Sequence, residues 1–157
     1  NDSTETVCRG RKTMNKDMCV VCDDGILNIR VGAIIMKDGK ILMVGNDRDY
    51  LYSVGGRVKF GETAEEAVAR EIKEETGLSV TNAQYLFSLP NTYLYSGFEV
   101  HTIDLFFLCQ VTSLQLLVPQ DDVESCQFMP KEQIHPENFG LASIQKGIKI
   151  LLNRQII

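Results

Sequence analysis

The sequence lacks a hydrophobic run of about 20 residues, the length that a membrane-spanning helix needs. Its first 17 residues are mostly polar or charged and have no apolar core typical of a secretory signal. We therefore expect no membrane association and a cytoplasmic protein. We predict a polar arm at residues 1–17, either disordered or added for expression, followed by a single domain at residues 18–157. No internal repeat, low-complexity segment or linker interrupts that domain.

Positive charge is also scarce. Lys and Arg number 16 against 21 Asp and Glu, which gives a net charge of −5. Proteins that bind duplex nucleic acid neutralise its phosphates with clustered Lys and Arg. We therefore expect no duplex nucleic acid partner. A small anionic ligand remains compatible with this composition if cations lie between the ligand and the protein.

Cysteine is present in an odd number, five residues, and no secretory signal accompanies it. A disulfide framework is not expected in such a chain. Cys19 and Cys22 form a CxxC motif with Cys8 nearby, but no fourth cysteine or nearby histidine completes a zinc ligand set. We therefore favour a short apolar strand with reduced thiols, MCVVC at residues 18–22, over a zinc site.

The hydrophobic patterns that are present indicate a mixed α/β domain. Runs rich in β-branched and aromatic residues, separated by turn signals such as KDGK, predict strands. Apolar residues at helical spacing near the C-terminus predict a packing helix at residues 141–154. The predicted strands are residues 28–36, 41–45, 50–54, 78–89, 98–111 and 126–129.

The segment ETAEEAVAREIKEETG contains its own helix start and stop signals. Thr63 with Glu66 three residues later forms a capping box, and Gly77 suits the position just after a helix. These signals predict a helix at residues 64–76. Acidic residues in its first turn are favourable for the helix dipole, whereas acidic residues near its end are not.

The acids near the end of this helix point the wrong way for a solvated surface. At about 100° per residue, Glu71 and Glu75 fall within roughly 20° of Ala64, at the centre of the apolar stripe, and Glu74 lies at its edge. Carboxylates that share a partly buried site must be protonated, pair with Arg70 or bind a cation. Oxygen ligands without His or Cys favour Mg²⁺ or Mn²⁺, and a protonated or Arg-paired cluster is the alternative.

The segment GRVKFGETAEEAVAREIKEETGL, residues 56–78, resembles the Nudix box GX5EX7REUXEEXGU, where U is aliphatic. It matches every specified position: Gly56, Glu62, Arg70, Glu71, Ile72, Glu74, Glu75, Gly77 and Leu78. The order of the flanking strands and helices also resembles the Nudix fold. The resemblance therefore implies an α+β domain in which a mixed β-sheet is sandwiched between α-helices.

The resemblance also implies a function, that of a hydrolase which cleaves a diphosphate linkage in a nucleoside diphosphate derivative. On the family pattern, Mg²⁺ or Mn²⁺ would be bound by Glu71, Glu74 and Glu75 together with the main-chain carbonyl of Gly55. The cation would activate a water molecule and neutralise the phosphates. Glu62 and Arg70 would hold the loop and orient the ligands, while Arg57 and Lys59 are candidates for contact with phosphate.

Specificity in this family lies outside the box, where the evidence is a second resemblance. SLPNTYLYS, residues 88–96, resembles the SQPWPFPXS motif of NADH pyrophosphatases at Ser88, Pro90, Tyr93 and Ser96, but departs from it at Leu89, Asn91, Thr92 and Leu94. The four-cysteine zinc ribbon usual in those enzymes is not recognisable. NADH, NAD and ADP-ribose are the substrates that fit. Tyr93, Tyr95 and Phe98 are candidates for stacking on a base, with strand packing as the alternative.

Other functions remain open at this point. The segment DDVESC offers Glu124 as an additional acid, or a solvated loop. A pyrophosphatase that removes damaged nucleoside triphosphates and a Nudix-derived regulator that binds a nucleotide without cleaving it are the alternative functions. The expected partner is a small nucleotide, and a homodimer is an assembly to be tested.

Overall fold

The computed structural model describes residues 16–45, 53–112, 125–139 and 142–157. Within these ranges, the helices are α1 (Ala64–Thr76) and α2 (Ala142–Asn153), and two short 3₁₀ turns, Lys131–Gln133 and Pro136–Asn138, precede α2. The strands in the same ranges are β1 (Cys19–Cys22), β2 (Gly25–Lys37), β3 (Lys40–Gly45), β4 (Val54–Arg57), β5 (Val80–Tyr95), β6 (Phe98–Val111) and β7 (Ser125–Pro130).

The long strand β2 organises the sheet. One edge of β2 pairs in parallel with β6, from Ile26 opposite Val100 to Ile35 opposite Cys109. Its other edge pairs antiparallel with β1, β4 and β3 in turn. Strand β5 pairs antiparallel with β6, and β7 with β3, so the main path is β5-β6-β2-β3-β7. The sheet is therefore mixed, as predicted.

Alternation along the strands divides the core between the two faces of the sheet. Val31 and Ile35 of β2 pack with Val68 and Ile72 of α1, whereas Ile34 packs with Ile148 of α2 on the opposite face. Successive strand residues point to opposite faces of the sheet, so a continuous apolar run places buried side chains on both faces. Each fully buried aliphatic side chain contributes about 1.5–3 kcal/mol. The two helices thus sandwich the sheet.

Helix α1 begins and ends where its local signals predict. Thr63 Oγ1 accepts a hydrogen bond from Glu66 N at 3.1 Å, and Glu66 Oε2 accepts one from Thr63 N at 3.1 Å. Gly77 adopts the left-handed conformation, with φ of 76°, and its N–H donates to Lys73 O. The predicted helix at residues 64–76 is confirmed.

Strand β4 differs from the prediction at residues 50–54. Residues 50–52 lie outside the described residues, and the observed strand, Val54–Arg57, includes the glycine pair itself. Gly55 pairs with Gly32 and Gly56 with Val31. The predicted strand ended at residue 54, before the glycines, and glycine weakens strands in general. Here the pairing with β2, which is distant in sequence, outweighs that local preference.

The CxxC segment forms the predicted apolar strand. Cys19 and Cys22 lie in β1 and are free thiols, Cys22 being exposed. Because they are three residues apart in a strand, their side chains point to opposite faces, which does not suit binding of one ion.

Among the helices that the structure describes, we find none with the length and apolar character to cross a membrane.

Candidate active site

Two carboxylates of α1 point toward the sheet. Glu71 and Glu75 are buried, with 9% and 6% of their surface exposed. Glu74 lies at the margin of this face, with 42% of its side chain exposed. The inward orientation that the helical wheel predicts for Glu71 and Glu75 is confirmed. Charges removed from water in this way need partners.

The glycine pair of β4 lies against these carboxylates. A Cβ atom at position 56 would come within 2.3 Å of Glu71 Cδ, and one at position 55 within 2.1 Å of the Val31 carbonyl oxygen. Any side chain at either position would therefore clash. The Gly55 N–H also donates to Glu75 Oε2 at 3.2 Å. The missing side chains of Gly55 and Gly56 thus let two carboxylates approach the backbone of β4.

Arg70 connects the carboxylates to the loop that precedes α1. Its Nε and Nη2 donate to Glu62 Oε2 and Oε1 at 2.8 and 2.9 Å, a bidentate pair. Nη2 also donates to the main-chain oxygen of Arg57 at 2.9 Å. Nη1 donates to Glu71 Oε1 at 2.8 Å and to Glu74 Oε2 at 3.2 Å. One guanidinium therefore serves three carboxylates and one carbonyl.

The pair of Glu62 and Arg70 fixes the loop geometry. Glu62 Oε1 accepts a further hydrogen bond from Lys59 N at 2.8 Å. The hydrogen bond from Arg70 is the largest influence on the pKa of Glu62 and, with the Lys59 contacts, lowers it despite burial. The same hydrogen bond is the largest cause of the raised pKa of Arg70. Both groups are therefore ionised at neutral pH.

Glu71 is in the opposite situation. Burial raises the pKa of Glu71 and outweighs the hydrogen bond and charge of Arg70, which lower it. The charge of Glu74 raises it further, and the charge of Arg30 lowers it. Glu71 therefore lacks sufficient compensating positive charge, because three carboxylates share one guanidinium. A divalent cation would supply that charge.

Residues 16–18 hold the other side of the loop. Main-chain hydrogen bonds of 2.6 and 2.8 Å join them to residues 58–60. Asp17 faces Lys59 in an isolated β-bridge, and Asp17 Oδ2 lies 3.7 Å from Arg57 Nη1. Asp17 was not predicted as a site residue, because the polar arm contains no local signal for this pairing.

The family model of the NUDIX domain matches residues 27–148, which include α1, the glycine pair and the loop between them. The chain belongs to the Nudix family. The complete Nudix box at residues 56–78 is thus part of a match over most of the chain.

Two curated relatives are similar to this Nudix chain over much of its length. NAD-capped RNA hydrolase NudC of Haemophilus influenzae (strain PittEE) is 30% identical over 124 residues, which are 75% of this chain and 42% of that protein. ADP-ribose pyrophosphatase of Methanocaldococcus jannaschii is 36% identical over 106 residues, which are 64% of this chain and 60% of that protein. The chain spans about half the length of these relatives.

Solved structures show the same fold. A NUDIX hydrolase from Nitrosomonas europaea aligns with a TM-score of 0.67 at 22% identity, covering 81% of this chain and 89% of that one. A MutT NUDIX hydrolase from Burkholderia pseudomallei aligns with a TM-score of 0.64 at 24% identity, covering 76% and 96%. The predicted Nudix fold is confirmed.

The carboxylates of Glu71, Glu74 and Glu75, together with the Gly55 carbonyl, form a group that we call the Nudix cluster. The chemistry of this cluster fits a hard divalent cation. On the predicted ligand set, its donors would be carboxylate oxygens and a main-chain carbonyl, which Mg²⁺ and Mn²⁺ prefer. Within the described ranges, no group of three or more Asp, Glu, His or Cys side chains is positioned to hold a metal ion. The hydrogen bonds explain this: Arg70 Nη1 lies between Glu71 and Glu74, and Glu75 contacts Gly55 N. Rotation of exposed Glu74 away from Arg70 would free Oε2 of Glu74.

The predicted aromatic contacts lie far from this Nudix cluster. Tyr93, Tyr95 and Phe98 are 46%, 64% and 51% exposed at the end of the β5–β6 hairpin. Leu89 and Arg57 lie in one row of paired strands. Tyr93 is four residues beyond Leu89 and three strands from Arg57, roughly 19 Å away at about 3.3 Å per residue and 4.8 Å per strand. Base stacking by these side chains stays a prediction.

Three further residues were predicted as substrate-binding or acidic site residues. Two of them lie near the β4–α1 loop, and one lies outside the described residues. Arg57 and Lys59 lie where the sequence predicts, between the glycine pair and α1. Glu124 lies outside the described residues. Arg30, whose charge acts on Glu71, was not predicted as a site residue, since its strand was recognised but its neighbours across the sheet were not.

Proposed function

We propose that this chain is a Mg²⁺- or Mn²⁺-dependent pyrophosphohydrolase that cleaves the diphosphate linkage of a nucleoside diphosphate derivative, with NAD(H) and ADP-ribose as its substrates. The carrying observation is the burial of Glu71 and Glu75 against the backbone of Gly55 and Gly56, inside a complete Nudix box. The substrate class is supported by the relatives named as an NAD-capped RNA hydrolase and an ADP-ribose pyrophosphatase.

The residues that would hold the cation are Glu71, Glu74 and Glu75, with the main-chain carbonyl of Gly55. When bound, the cation neutralises phosphate oxygens and lowers the pKa of a water molecule enough to make it a nucleophile. The rigid glycine strand sets the position of the Gly55 carbonyl relative to the helix. A proton competes with the cation at Glu71, because burial raises the pKa of that carboxyl.

The loop residues have positioning and binding roles in this proposal. The bidentate pair of Glu62 and Arg70 holds the β4–α1 loop at a fixed distance from the helix. Arg57, the last residue of β4, and Lys59 in that loop would attract substrate phosphates. Glu124, outside the described residues, remains the candidate for an additional acid.

A substrate panel tests the proposal. The protein is incubated with Mg²⁺ and each of NADH, NAD, ADP-ribose, diadenosine polyphosphates and nucleoside triphosphates, and products are separated by chromatography. Two monophosphates from NADH, NAD or ADP-ribose are the expected result. Pyrophosphate released only from triphosphates would favour the sanitising alternative. Binding of a nucleotide without turnover of any would favour the regulator and contradict the enzyme.

The domain bounds, the cellular setting and the oligomeric state of the protein are also proposals. A single Nudix domain at residues 18–157, a cytoplasmic setting and a homodimer stay predictions. Light scattering after size-exclusion chromatography measures the mass in solution directly, and a monomer mass would contradict the homodimer.

A further inference from the structure

Two arginines face the same side of the sheet next to the glycine pair. Arg57 of β4 lies directly opposite Arg30 of β2 in the antiparallel register, so both side chains point to one face. Arg30 is in turn opposite Asp104 of β6, and Asp17 lies beyond Arg57. The order across the sheet is therefore Asp17, Arg57, Arg30 and Asp104, with the two positive charges adjacent in the centre.

The flanking carboxylates use little of the hydrogen-bonding capacity of these arginines. The Arg57–Asp17 and Arg30–Asp104 contacts measure 3.7 and 3.9 Å, beyond the range of about 2.7–3.2 Å for a hydrogen bond. Arg57 Nε is buried and has no hydrogen-bond partner. The side chains of Arg57 and Arg30 nevertheless reach solvent, with 35% and 43% of their surface exposed.

The arrangement is unfavourable without a further anion. Like charges directly opposite in a sheet destabilise it, and a purely structural row would alternate its signs. Among the described residues of this row, the carboxylates stand only at the two ends, so the two positive charges are adjacent. Planar guanidinium groups with unused N–H donors bind phosphate oxygens in bidentate fashion.

The arginine pair lies close to the Nudix acids but on the other face of β4. Gly56 faces the carboxylate of Glu71, and Arg57, as the next strand residue, faces the opposite way. The main-chain oxygen of Arg57 accepts a hydrogen bond from Arg70 Nη2 at 2.9 Å. A ligand group on the arginine pair would thus lie against the same stretch of β4 as the proposed cation site, on the opposite face of the strand.

We propose that Arg30 and Arg57 form a phosphate-binding pair that takes a phosphate group of the nucleotide substrate, with Asp17 and Asp104 as positioning residues at its ends. The identity of the ligand as substrate rests on the proposed function, whereas the capacity of the pair to bind phosphate does not. Two sources share this chemistry: the diphosphate that is cleaved and an additional phosphate elsewhere on the nucleotide.

Binding of inorganic pyrophosphate in excess EDTA tests the pair without catalysis. Isothermal titration calorimetry compares the wild type with Arg30→Gln and Arg57→Gln. Each substitution is expected to weaken binding about tenfold, because it removes charge-assisted hydrogen bonds. Lys37→Gln is the matched control: it removes one exposed positive charge from the same strand β2, roughly 23 Å from Arg30, and should bind like the wild type.

The lysine variants separate binding from folding. Arg30→Lys and Arg57→Lys keep the charge but lose the planar fork, so intermediate affinity is expected even where a glutamine variant fails to fold. Wild-type protein that does not bind pyrophosphate, or glutamine variants that bind it within twofold of the Lys37→Gln control, would overturn the proposal. Because no metal is present, these results do not depend on whether the chain is a hydrolase.

Steady-state kinetics with Mg²⁺ then distinguishes the sources of the phosphate. If the pair holds the cleaved diphosphate, Arg30→Gln raises KM for both ADP-ribose and ADP-ribose 2′-phosphate. If it holds an additional phosphate, KM rises only for the 2′-phosphate. A lower kcat with both KM values unchanged indicates a structural role and contradicts the proposal. Absence of turnover by the wild type would instead contradict the proposed function, while leaving the pyrophosphate result intact.

Discussion

The carboxylate of Glu71 occupies the space that a side chain at Gly56 would fill. A Cβ atom at position 56 would lie 2.3 Å from both Glu71 Cδ and Glu71 Oε1, and 2.6 Å from Oε2. The contact joins strand β4 to the buried face of α1, so a side chain at position 56 would have to displace this carboxylate. The absence of a side chain at Gly56 is thus required for the observed position of the Glu71 carboxylate, and both residues belong to the Nudix box.

Gly56→Ala should therefore reduce activity without removing any catalytic group. The added methyl displaces the Glu71 carboxylate, and a displacement of about 1 Å in a catalytic arrangement costs on the order of a hundredfold in rate. Activity on the preferred substrate of the panel and the thermal midpoint are the measurements. Unchanged activity would show that the carboxylate position is not critical.

Gly147→Ala is the matched control for that substitution. Gly147 lies in α2, where an added Cβ would meet its nearest neighbour, Phe106, at 3.7 Å, an ordinary contact distance. Alanine is favoured over glycine within a helix by about 1 kcal/mol. Full activity and an equal or higher melting temperature are expected, so a loss in Gly56→Ala alone identifies the clash with Glu71.

Glu75→Gln should abolish most of the turnover and most of the stabilisation by Mg²⁺. The substitution keeps the size of the side chain and its acceptor for the Gly55 N–H, but removes a negative charge that the cation requires. Loss of several kcal/mol of charge stabilisation corresponds to at least about a hundredfold in rate. Ligand-induced stabilisation measured by thermal melting provides a readout that is independent of catalysis.

Glu65→Gln controls for the removal of a carboxylate from α1. Glu65 is exposed in the first turn of the helix, so its replacement should leave both turnover and the Mg²⁺-induced rise in melting temperature unchanged. Equal behaviour of the two variants would refute the assignment of Glu75 as a cation ligand.

The pair of Glu62 and Arg70 should show strong energetic coupling. Its two hydrogen bonds of 2.8 and 2.9 Å lie in a site where the side chains are only 15% and 21% exposed. A double-mutant cycle with Glu62→Gln and Arg70→Lys, measured by urea unfolding, is expected to give a coupling of about 1–3 kcal/mol. Additive effects within about 0.5 kcal/mol would place the pair with ordinary surface salt bridges.

The features predicted correctly from sequence depend on residues that are close along the chain. The bounds of α1 follow from Thr63, Glu66 and Gly77, all within one helical turn of its ends. The inward direction of Glu71 and Glu75 follows from helical periodicity alone. Local signals therefore predict helix α1 together with the orientation of its acids.

The features that sequence reasoning missed depend on pairing between distant strands. The glycine pair at residues 55–56 became part of β4 only because β2 supplies partners for it. Likewise, Arg30 and Arg57 are 27 positions apart in the sequence, and only the antiparallel register makes them neighbours. Register depends on the whole sheet, so a strand pattern predicts which residues share a face of one strand but not what lies opposite.

The raised pKa of Glu71 predicts a pH dependence of stability whose sign reverses with metal. The folded protein holds the Glu71 proton to a higher pH than the unfolded chain, in which the pKa is near its ordinary value of 4.5. Without metal, wild-type stability should therefore fall as pH rises through that window. Glu71→Gln lacks this loss, so its melting temperature relative to wild type should increase from about pH 4 to pH 7 in EDTA.

Glu62 contributes to stability in the opposite sense, because its pKa is lowered in the folded protein. This contribution is fully present at a pH above the ordinary pKa of a glutamate, and it is lost as the pH falls through the lowered pKa. Glu62 is present in both proteins, so the difference between their melting curves isolates Glu71. With Mg²⁺, the wild type should gain more stability as pH rises, because the cation replaces the proton at Glu71, and Glu71→Gln should gain less. A difference in melting temperature that is independent of pH in EDTA would show that Glu71 does not carry the burial cost. Equal gains in melting temperature with Mg²⁺ would show that Glu71 does not bind the cation.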